Sequence, residues 1–247
     1  MKNQSDRDEV KFFNVCVDNF FKNPDKIVEF ANKLEYYPDK KGAWPGVRSA
    51  SLHEIDLDLN TSIVSKIFRA HYPGSNNQIS WDSSIVCFAK TKSYGDKILN
   101  EGWIHIDYPS VIAGLVYLTP NADLNGGTNV YQLKKEFKNV HSDYVKQKQK
   151  HFFYTDSPEY NYNTYKKELR KNNDKFNLVT KFNNVYNRMV LWSGSEYHGA
   201  NSFDGFENDE RLTLLFFING VGVDCPKPYD YIKELDEDIE SKISKLE

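Results

Sequence analysis

The sequence predicts a mainly β domain with flanking helices, of the α+β class. Between residues 81 and 133, and again between 176 and 220, short β-branched and aromatic segments alternate with Gly, Asn, Asp or Pro. This pattern is typical of successive antiparallel strands. Two helical patterns precede the strands, and a polar stretch separates the two groups. At 247 residues, the chain predicts one elaborated domain, residues 1–247.

The N-terminal region, residues 11–80, predicts one strand and two helices. An extended segment, FFNVCVDNFF, leads to Asn23 and Pro24, which are suited to the N-cap and the first turn of a helix. A turn-rich segment follows, and then TSIVSKIFRAHY places its apolar residues on one helical stripe. We expect both helices to pack on the strands that come after them.

The core strands are predicted at residues 81–133 and 176–220, from the following segments: WDSSIVCFAKT, GWIHIDY, SVIAGLVYLTP, GGTNVYQL, FNLVTKFNNVY, RMVLWSG, SEYHGAN and RLTLLFFING. Residues 134–175 form a polar insertion that we expect to be partly helical and to lie outside the core. It serves as a lid, a partner-binding surface or a solvated elaboration. The charged tail, residues 221–247, predicts an amphipathic helix or a frayed end.

The charge balance excludes some classes of partner. The net charge is −3, from 32 basic and 35 acidic residues, which predicts no general binding to nucleic acid or to an anionic membrane. Cys16, Cys87 and Cys225 lie far apart and form no C-x-x-C motif, as in a protein of a reducing compartment. No long apolar run is present. We expect a cytoplasmic protein without a membrane segment.

The sequence around His105 carries the strongest chemical signal. Side chains alternate along a strand, so His105 and Asp107 point to the same side. With a distant histidine, His198, they make two imidazoles and one carboxylate, a set that holds iron(II) on one face and leaves positions open. An H-x-D motif alone also occurs as a surface ion pair. A closed zinc site favours more sulfur or a fourth protein ligand.

An arginine follows the second histidine by thirteen positions. Arg211 opens the strand RLTLLFFI, and Thr213 shares its face. A planar guanidinium suits bidentate binding of a carboxylate. The alternative is an edge-strand arginine that pairs with a surface acid such as Glu210.

Taken in order, these motifs are H-x-D, a strand ending in Y-L-T-P, G-G-T, a late histidine and R-L-T. This order resembles the Fe(II)/2-oxoglutarate-dependent dioxygenase superfamily, prolyl-hydroxylase-like branch, over residues 81–220 without the insertion. The segments Trp44–Ser49 and Asn187–Leu191 are also similar to bacterial and phage members. For a phage protein, the location would be the host cytoplasm. The interval from His198 to Arg211 is slightly longer than is usual in the family.

The resemblance implies a double-stranded β-helix, the jelly-roll fold shared with cupins. It implies that His105, Asp107 and His198 bind Fe(II), and that Arg211, with Thr213 beside it, binds the far carboxylate of 2-oxoglutarate. It further implies hydroxylation of a C–H bond with O2, and release of succinate and CO2. The substrate would be a protein side chain, an amino acid or another small metabolite. Because Asp107 is a carboxylate, the resemblance implies hydroxylation and not halogenation.

Other residues have a functional and a structural interpretation. Tyr117 and Asn129 would point inward and contact the cosubstrate, or would only pack. Arg48 would face the mouth of the site and hold a substrate anion, or would have a surface role. Trp103 and Trp192 are interpreted as core residues.

The remaining histidines lack a same-face carboxylate and are expected to be exposed or capping residues: His53, His71, His141 and His151. Two other functions stay open. The first is a non-catalytic cupin-like barrel that binds a ligand or partner. The second is a cupin-type metal enzyme that does not use 2-oxoglutarate, against which Arg211 and Thr213 argue.

Overall fold

A computed structural model describes residues 12–38, 46–72, 79–94, 96–137, 162–206, 210–223, 239 and 241–245. These residues form twelve strands: β1 Val15–Val17, β2 Tyr37–Pro38, β3 Val47–Arg48, β4 Ile79–Ser80, β5 Ser83–Lys92, β6 Ile112–Tyr117, β7 Thr128–Leu133, β8 Phe176–Phe182, β9 Met189–Ser193, β10 Tyr197–Ala200, β11 Glu210–Asn219 and β12 Gly222–Val223. The helices are α1 Pro24–Asn32, α2 Leu52–Ile55, α3 Leu57–His71 and α4 Tyr162–Asn173.

The strands form two main sheets, and every strand pair in them is antiparallel. The large sheet has seven strands in the order β1-β9-β6-β11-β5-β3-β2, and the small sheet has the order β10-β7-β8. A separate pair joins β12 to β4. The prediction of a mainly β domain with antiparallel strands is therefore confirmed.

Helices α1 and α3 cover the outer face of the large sheet. Even-numbered residues of β11, from Leu212 to Ile218, pack with α1 and α3 in one apolar cluster. The predicted stripe of α3 is confirmed, because Ile63, Val64, Ile67 and Phe68 are all buried in it. Helix α1 begins at Pro24 as predicted, but the side chain of Asn23 makes no capping hydrogen bond.

A second apolar cluster fills the space between the two sheets. The large sheet contributes Ala113, Leu115, Tyr117, Val190 and Trp192, and the small sheet contributes Val130 and Phe182. We call this space the interior. The side chains of β11 alternate between the two clusters. The residues of this strand that face the interior are therefore Arg211, Thr213, Leu215 and Phe217.

The polar insertion contains the predicted helix. Tyr165 and Leu169 of α4 are buried against Leu99 and Trp103, so this helix packs on the segment that leads to His105. Residues 138–161 lie outside the described residues. Within the described ranges, no helix has the length and apolar character that crossing a membrane requires. Of the C-terminal tail, residues 241–244 are helical.

Candidate metal centre

The segment Gly102–Asp107 delivers two of the predicted metal ligands. It was predicted as a regular strand, but the structure has a single bridge there, between His105 and His198 of β10. The two backbones exchange both N–H···O bonds at 2.8 Å. Asp107 is fixed by its own N–H, which donates to the carbonyl of Gly194 at 2.8 Å. An isolated bridge suffices to place both histidines side by side.

The three side chains converge on one point at the inner face. Asp107 Oδ2 lies 3.0 Å from His198 Nε2, and Asp107 Oδ1 lies 3.5 Å from His105 Nε2. One ligand atom from each residue lies within 4.8 Å of the others. The predicted alternation is confirmed, since His105 and Asp107 both face His198. Among the described residues, this is the group that can hold a metal ion.

The hydrogen bonds of the imidazoles fix which nitrogen faces the carboxylate. His105 Nδ1 lies 2.7 Å from the carbonyl of Trp103, and His198 Nδ1 lies 2.9 Å from the carbonyl of Glu196. A carbonyl only accepts, so each Nδ1 carries the proton and donates it. Each Nε2 of a neutral imidazole then offers a lone pair, as a metal ligand does. When both Nε2 atoms are deprotonated, two imidazole lone pairs and a carboxylate face one point, and together they can bind a cation there.

The electrostatics of Asp107 keep its carboxyl ionised. Burial opposes ionisation of this carboxyl, but the two imidazoles outweigh burial and hold its pKa well below the usual range. The neighbouring Glu196 behaves in the opposite way. Burial raises the pKa of Glu196 to about 7, while its Oε1 accepts a hydrogen bond from the N–H of Phe13 at 3.2 Å. Asp107 is thus the anionic group at the centre.

Arg211 lies in the same interior, further along the large sheet. It is only 6% exposed, and its guanidinium carbon lies 5.5 Å from the ring centre of Tyr117 and 5.8 Å from that of Phe203. Its Nε and Nη2 are buried and have no hydrogen-bond partner in the described ranges. Burial lowers the pKa of Arg211, and Tyr117 opposes that effect.

The alternative interpretation of Arg211 as a surface residue is wrong. Glu210, the acid considered as its partner, points away and pairs with Lys90 at 3.3 Å. No Asp or Glu of the described chain forms an ion pair with the Arg211 guanidinium. A buried, planar cation with unused donors is able to bind an anion, and the geometry of a carboxylate matches it.

Two of the predicted cosubstrate contacts accompany Arg211, and one does not. Tyr117 and Thr213 are in register on β6 and β11, both buried, and the Tyr117 hydroxyl donates to Thr128 Oγ1 at 3.0 Å. Asn129 was expected to point inward. It instead lies on the opposite face of β7 from Val130, and its amide nitrogen donates to the side chains of Tyr131 and Asn201.

Three residues at the site, Trp192 and Asn172, which are buried, and Asn173, which is half-buried, were not predicted as functional. Trp192, predicted as core and buried as such, stacks its ring 4.5 Å from that of His198. Asn172 and Asn173 end helix α4 and hold the backbone of the ligand segment. Asn172 Nδ2 donates to Ile104 O and Asn173 Nδ2 to Gly102 O, each at 3.0 Å, while Asn173 Oδ1 accepts from Ile104 N at 3.1 Å.

The described structure thus defines a class: a protein of two facing antiparallel sheets, with a His–Asp–His group able to hold a metal between them. The particular family is shown by sequence. Residues 11–218 match the profile of a family described as "Family of unknown function (DUF6445)", and the chain belongs to this family. No curated protein matches the chain.

Solved structures offer distant likenesses. One is the prolyl hydroxylase from Trichoplax adhaerens in complex with a hypoxia-inducible-factor peptide, with 13% identity, coverage of 88% of this chain and 86% of that chain, and a TM-score of 0.48. HygX from Streptomyces hygroscopicus, with nickel and 2-oxoglutarate bound, has 9% identity, 84% and 83% coverage and a TM-score of 0.49. A Pseudomonas putida prolyl-4-hydroxylase has 12% identity, 86% and 95% coverage and a TM-score of 0.42.

Proposed function

We propose that this protein is an Fe(II)- and 2-oxoglutarate-dependent oxygenase that hydroxylates a C–H bond of its substrate. The metal would be held by His105, Asp107 and His198, and 2-oxoglutarate by Arg211. In the overall reaction, the substrate, O2 and 2-oxoglutarate give the hydroxylated substrate, succinate and CO2. The two facing sheets are, in this proposal, those of a double-stranded β-helix.

The proposal rests on two neighbouring groups in one interior: a set of metal-ligand side chains that can bind a cation, and an arginine whose free donors can bind an anion. The centre can present two imidazole lone pairs beside the buried carboxylate of Asp107, and this set would bind a cation. Arg211 presents buried donors without partners, and it requires an anion. A facial set of two histidines and one carboxylate leaves coordination positions that a keto acid can occupy. A dicarboxylate with one end at the metal would satisfy both sites.

The residues fit these roles by position. Residues in register across the large sheet lie at one level along the strands. The pair of Leu115 and Val190 lies between two such levels. One contains Trp192, which contacts His198, and the other contains Tyr117, which contacts Arg211. Residues two apart along a strand are about 6.8 Å apart, so these two levels are about 14 Å apart, and the ligand side chains, the metal and the cosubstrate would together span this interval. The apolar walls exclude water, which strengthens the ionic contacts at both ends.

When bound, iron(II) with 2-oxoglutarate supplies an oxidant strong enough to break a C–H bond. The residues of this chain position the reactants and exclude water from the site. The carbonyls of Trp103 and Glu196 orient the two imidazoles, and Asp107 contributes the negative charge that a divalent cation needs. Arg211 fixes the far end of the cosubstrate, so that its reactive end is oriented towards the metal.

The test is an anaerobic titration of the metal-free protein with Fe(II), followed by 2-oxoglutarate. We expect one Fe(II) per chain, and then a weak visible charge-transfer band when the keto acid chelates the metal. Asp107→Ala and His198→Ala should abolish Fe(II) binding. As a matched control, Asp18→Ala removes a carboxylate that pairs with Arg188 at the surface and should leave both signals unchanged.

Each result has a distinct meaning. Fe(II) binding without the band would refute the use of 2-oxoglutarate and would favour a metal enzyme with another cosubstrate. Absence of Fe(II) binding by the folded protein would refute the oxygenase and favour a ligand-binding barrel. Succinate formation that depends on Fe(II) and O2 would establish the reaction class.

A further inference from the structure

Arg48 lies on the interior face of the large sheet. It belongs to β3 and is in register with Ala89 of β5, which is itself in register with Thr213 of β11. Residues paired across antiparallel strands share a face, so Arg48 points to the same side as Thr213 and Arg211. Two arginines on different strands therefore face one interior.

Gly46 and Ser49, on either side of β3, explain how Arg48 is held there. Gly46 has φ +72°, and a Cβ at this position would lie 2.1 Å from the carbonyl oxygen of Lys90, so glycine allows the chain to approach β5. On the other side, the N–H of Ser49 donates to Phe88 O at 2.9 Å, and Ser49 Oγ accepts from Phe88 N at 3.0 Å. The short strand is therefore fixed at both ends, with Arg48 directed inward.

A row of apolar side chains, which we call the apolar row, runs across the large sheet from the metal centre to the exposed surface next to the Arg48 guanidinium. Trp192, Ala113, Phe217 and Ile85 are in register on the neighbouring strands β9, β6, β11 and β5. Trp192 is 3% exposed and stacks on His198, Phe217 is half-buried, and Ile85 is 50% exposed. Adjacent strands lie about 4.8 Å apart, so Phe217 is about 10 Å from Trp192 along the row.

The guanidinium of Arg48 lies over the outer half of this apolar row. Its central carbon is 5.6 Å from the ring centre of Phe217. Val111, which is 44% exposed, precedes β6 and lies on the same face as Ala113, so it extends the open apolar surface at this end. The outer half of the row thus combines exposed apolar side chains with one fixed cation.

We propose that this surface binds the substrate, and that the substrate is an organic anion with an apolar body. Arg48 binds the anionic group, and the apolar row holds the body so that a carbon about 10 Å from the anion reaches the metal centre. The assignment rests on the oxygenase proposed above, because that reaction defines which end of the row is reactive. Arg211 is buried at the far level of β11, so the two arginines hold two different anions.

The test uses two dyes that share one aromatic skeleton. The anionic probe is 1-anilinonaphthalene-8-sulfonate, and the neutral probe is N-phenyl-1-naphthylamine; both fluoresce when bound to apolar surfaces. Each is titrated into the wild-type chain, into Arg48→Gln, and into the control Arg69→Gln, which removes an exposed arginine of α3. Loss of a charge-assisted hydrogen bond weakens binding by about tenfold, so Arg48→Gln should bind the anionic dye about tenfold more weakly.

The neutral dye provides the second comparison. Its affinity should be equal in all three chains, and Arg69→Gln should match the wild type for both dyes. Equal affinity of Arg48→Gln and the wild type for the anionic dye overturns the proposal. So does an equal loss of both dyes, since Arg48 would then only shape the surface.

A second pair of variants leaves Arg48 in place. Ile85 is exposed and adjoins Phe217, so Ile85→Glu and Ile85→Lys should both fold. We expect the anionic dye to bind more weakly to the Glu variant than to the Lys variant, with no such difference for the neutral dye. Identical affinities for the anionic dye would refute an anion site at this position.

The metal separates this inference from the function on which it rests. Co(II) bound at His105, Asp107 and His198 absorbs visible light and should quench the anionic dye, because the row adjoins the centre. If Co(II) binds to the wild-type protein but does not quench the anionic dye, the dye does not lie on the apolar row, and the proposed location is refuted. The Fe(II) and 2-oxoglutarate titration tests the oxygenase separately, and it should give the same result in Arg48→Gln as in wild type.

Discussion

Replacing Arg211 with methionine should make the metal-free protein more stable while it removes cosubstrate binding. Arg211 is 6% exposed, and two of its nitrogens have no partner in the described structure. A buried charge that lacks a counter-ion costs about 3–5 kcal/mol, of which the hydrogen bond of the guanidinium with Tyr117 and its contacts with the Tyr117 and Phe203 rings return about 1–2 kcal/mol. Methionine is apolar and of similar length. We therefore expect Arg211→Met to raise the free energy of unfolding by about 2 kcal/mol.

The same substitution removes the anion site. Two charge-assisted hydrogen bonds contribute about 1.5–3 kcal/mol each, and 1.4 kcal/mol corresponds to tenfold in affinity. The affinity of the metal-loaded protein for 2-oxoglutarate should therefore fall by at least about a hundredfold. Fe(II) affinity should stay at the wild-type value, since Arg211 is not one of the three residues that we propose as metal ligands.

The measurements are urea unfolding of the metal-free protein and titration of the Fe(II)-loaded protein with 2-oxoglutarate. Arg188→Met is the matched control, because Arg188 forms a surface ion pair with Asp18 and should change stability by less than about 1 kcal/mol. A methionine variant at position 211 that is less stable than wild type would show that the arginine is satisfied in the resting protein. Unchanged 2-oxoglutarate affinity would refute its assigned role.

Three further predictions concern the supports of the site. Asn173→Ala should weaken metal binding by about tenfold, because outer partners of this kind orient the ligands; isothermal titration with Co(II) measures this, and an unchanged affinity contradicts it. Gly46→Ala should lower the unfolding free energy by more than about 1 kcal/mol and reduce binding of the anionic dye, because a Cβ would meet the backbone of β5; wild-type values for both would contradict the argument. Burial lowers the pKa of His71 from 6.5 to about 4, so the folded state resists protonation and stability falls as the pH decreases through this window. In His71→Gln this fall should be smaller, by up to about 2 kcal/mol, when urea unfolding of the two metal-free proteins is compared at pH 7 and pH 5.

The His71 result also corrects an expectation from the sequence. His71 was predicted to be exposed or capping, but its ring is half-buried and lies 5.7 Å from that of Phe13 and 4.5 Å from that of Tyr72. His53 is exposed as expected, and His141 and His151 lie outside the described residues. The sequence signal failed because His71 ends a helix, where its burial depends on the N-terminal segment and not on the helical stripe.

Strand alternation predicted most of the site. It placed His105 and Asp107 on one side, and Arg211 and Thr213 on one face, because the period of a strand is a local property of the chain. It failed at Asn129, which is buried like its neighbour Thr128 although the two point to opposite faces. The pattern of polar and apolar residues cannot separate two buried faces of one strand.

Contacts that depend on distant pairing left no pattern to predict. Arg48 belongs to a strand of two residues, too short for any period, and its direction follows only from its register with Ala89. The side-chain amides of Asn172 and Asn173 form hydrogen bonds with backbone atoms of Ile104 and Gly102, and any residue at positions 102 and 104 would offer these atoms. The assignment of the two sheets to a double-stranded β-helix stays a prediction.

Strand β11 shows how one segment organises the whole interior. Its inward residues run from Arg211 through Thr213 and Leu215 to Phe217, which is from a buried cation to an apolar surface near solvent. In the proposed function, a cosubstrate anchored at the buried end is enclosed by the sheet, and among the described residues the exposed part of the row gives a substrate an entrance. The chain therefore needs a second cation at the open end if the substrate is anionic, because Arg211 is not accessible from there. The guanidinium of Arg48 reaches that end, since it lies over the ring of Phe217, and its removal should affect the substrate without affecting the cosubstrate.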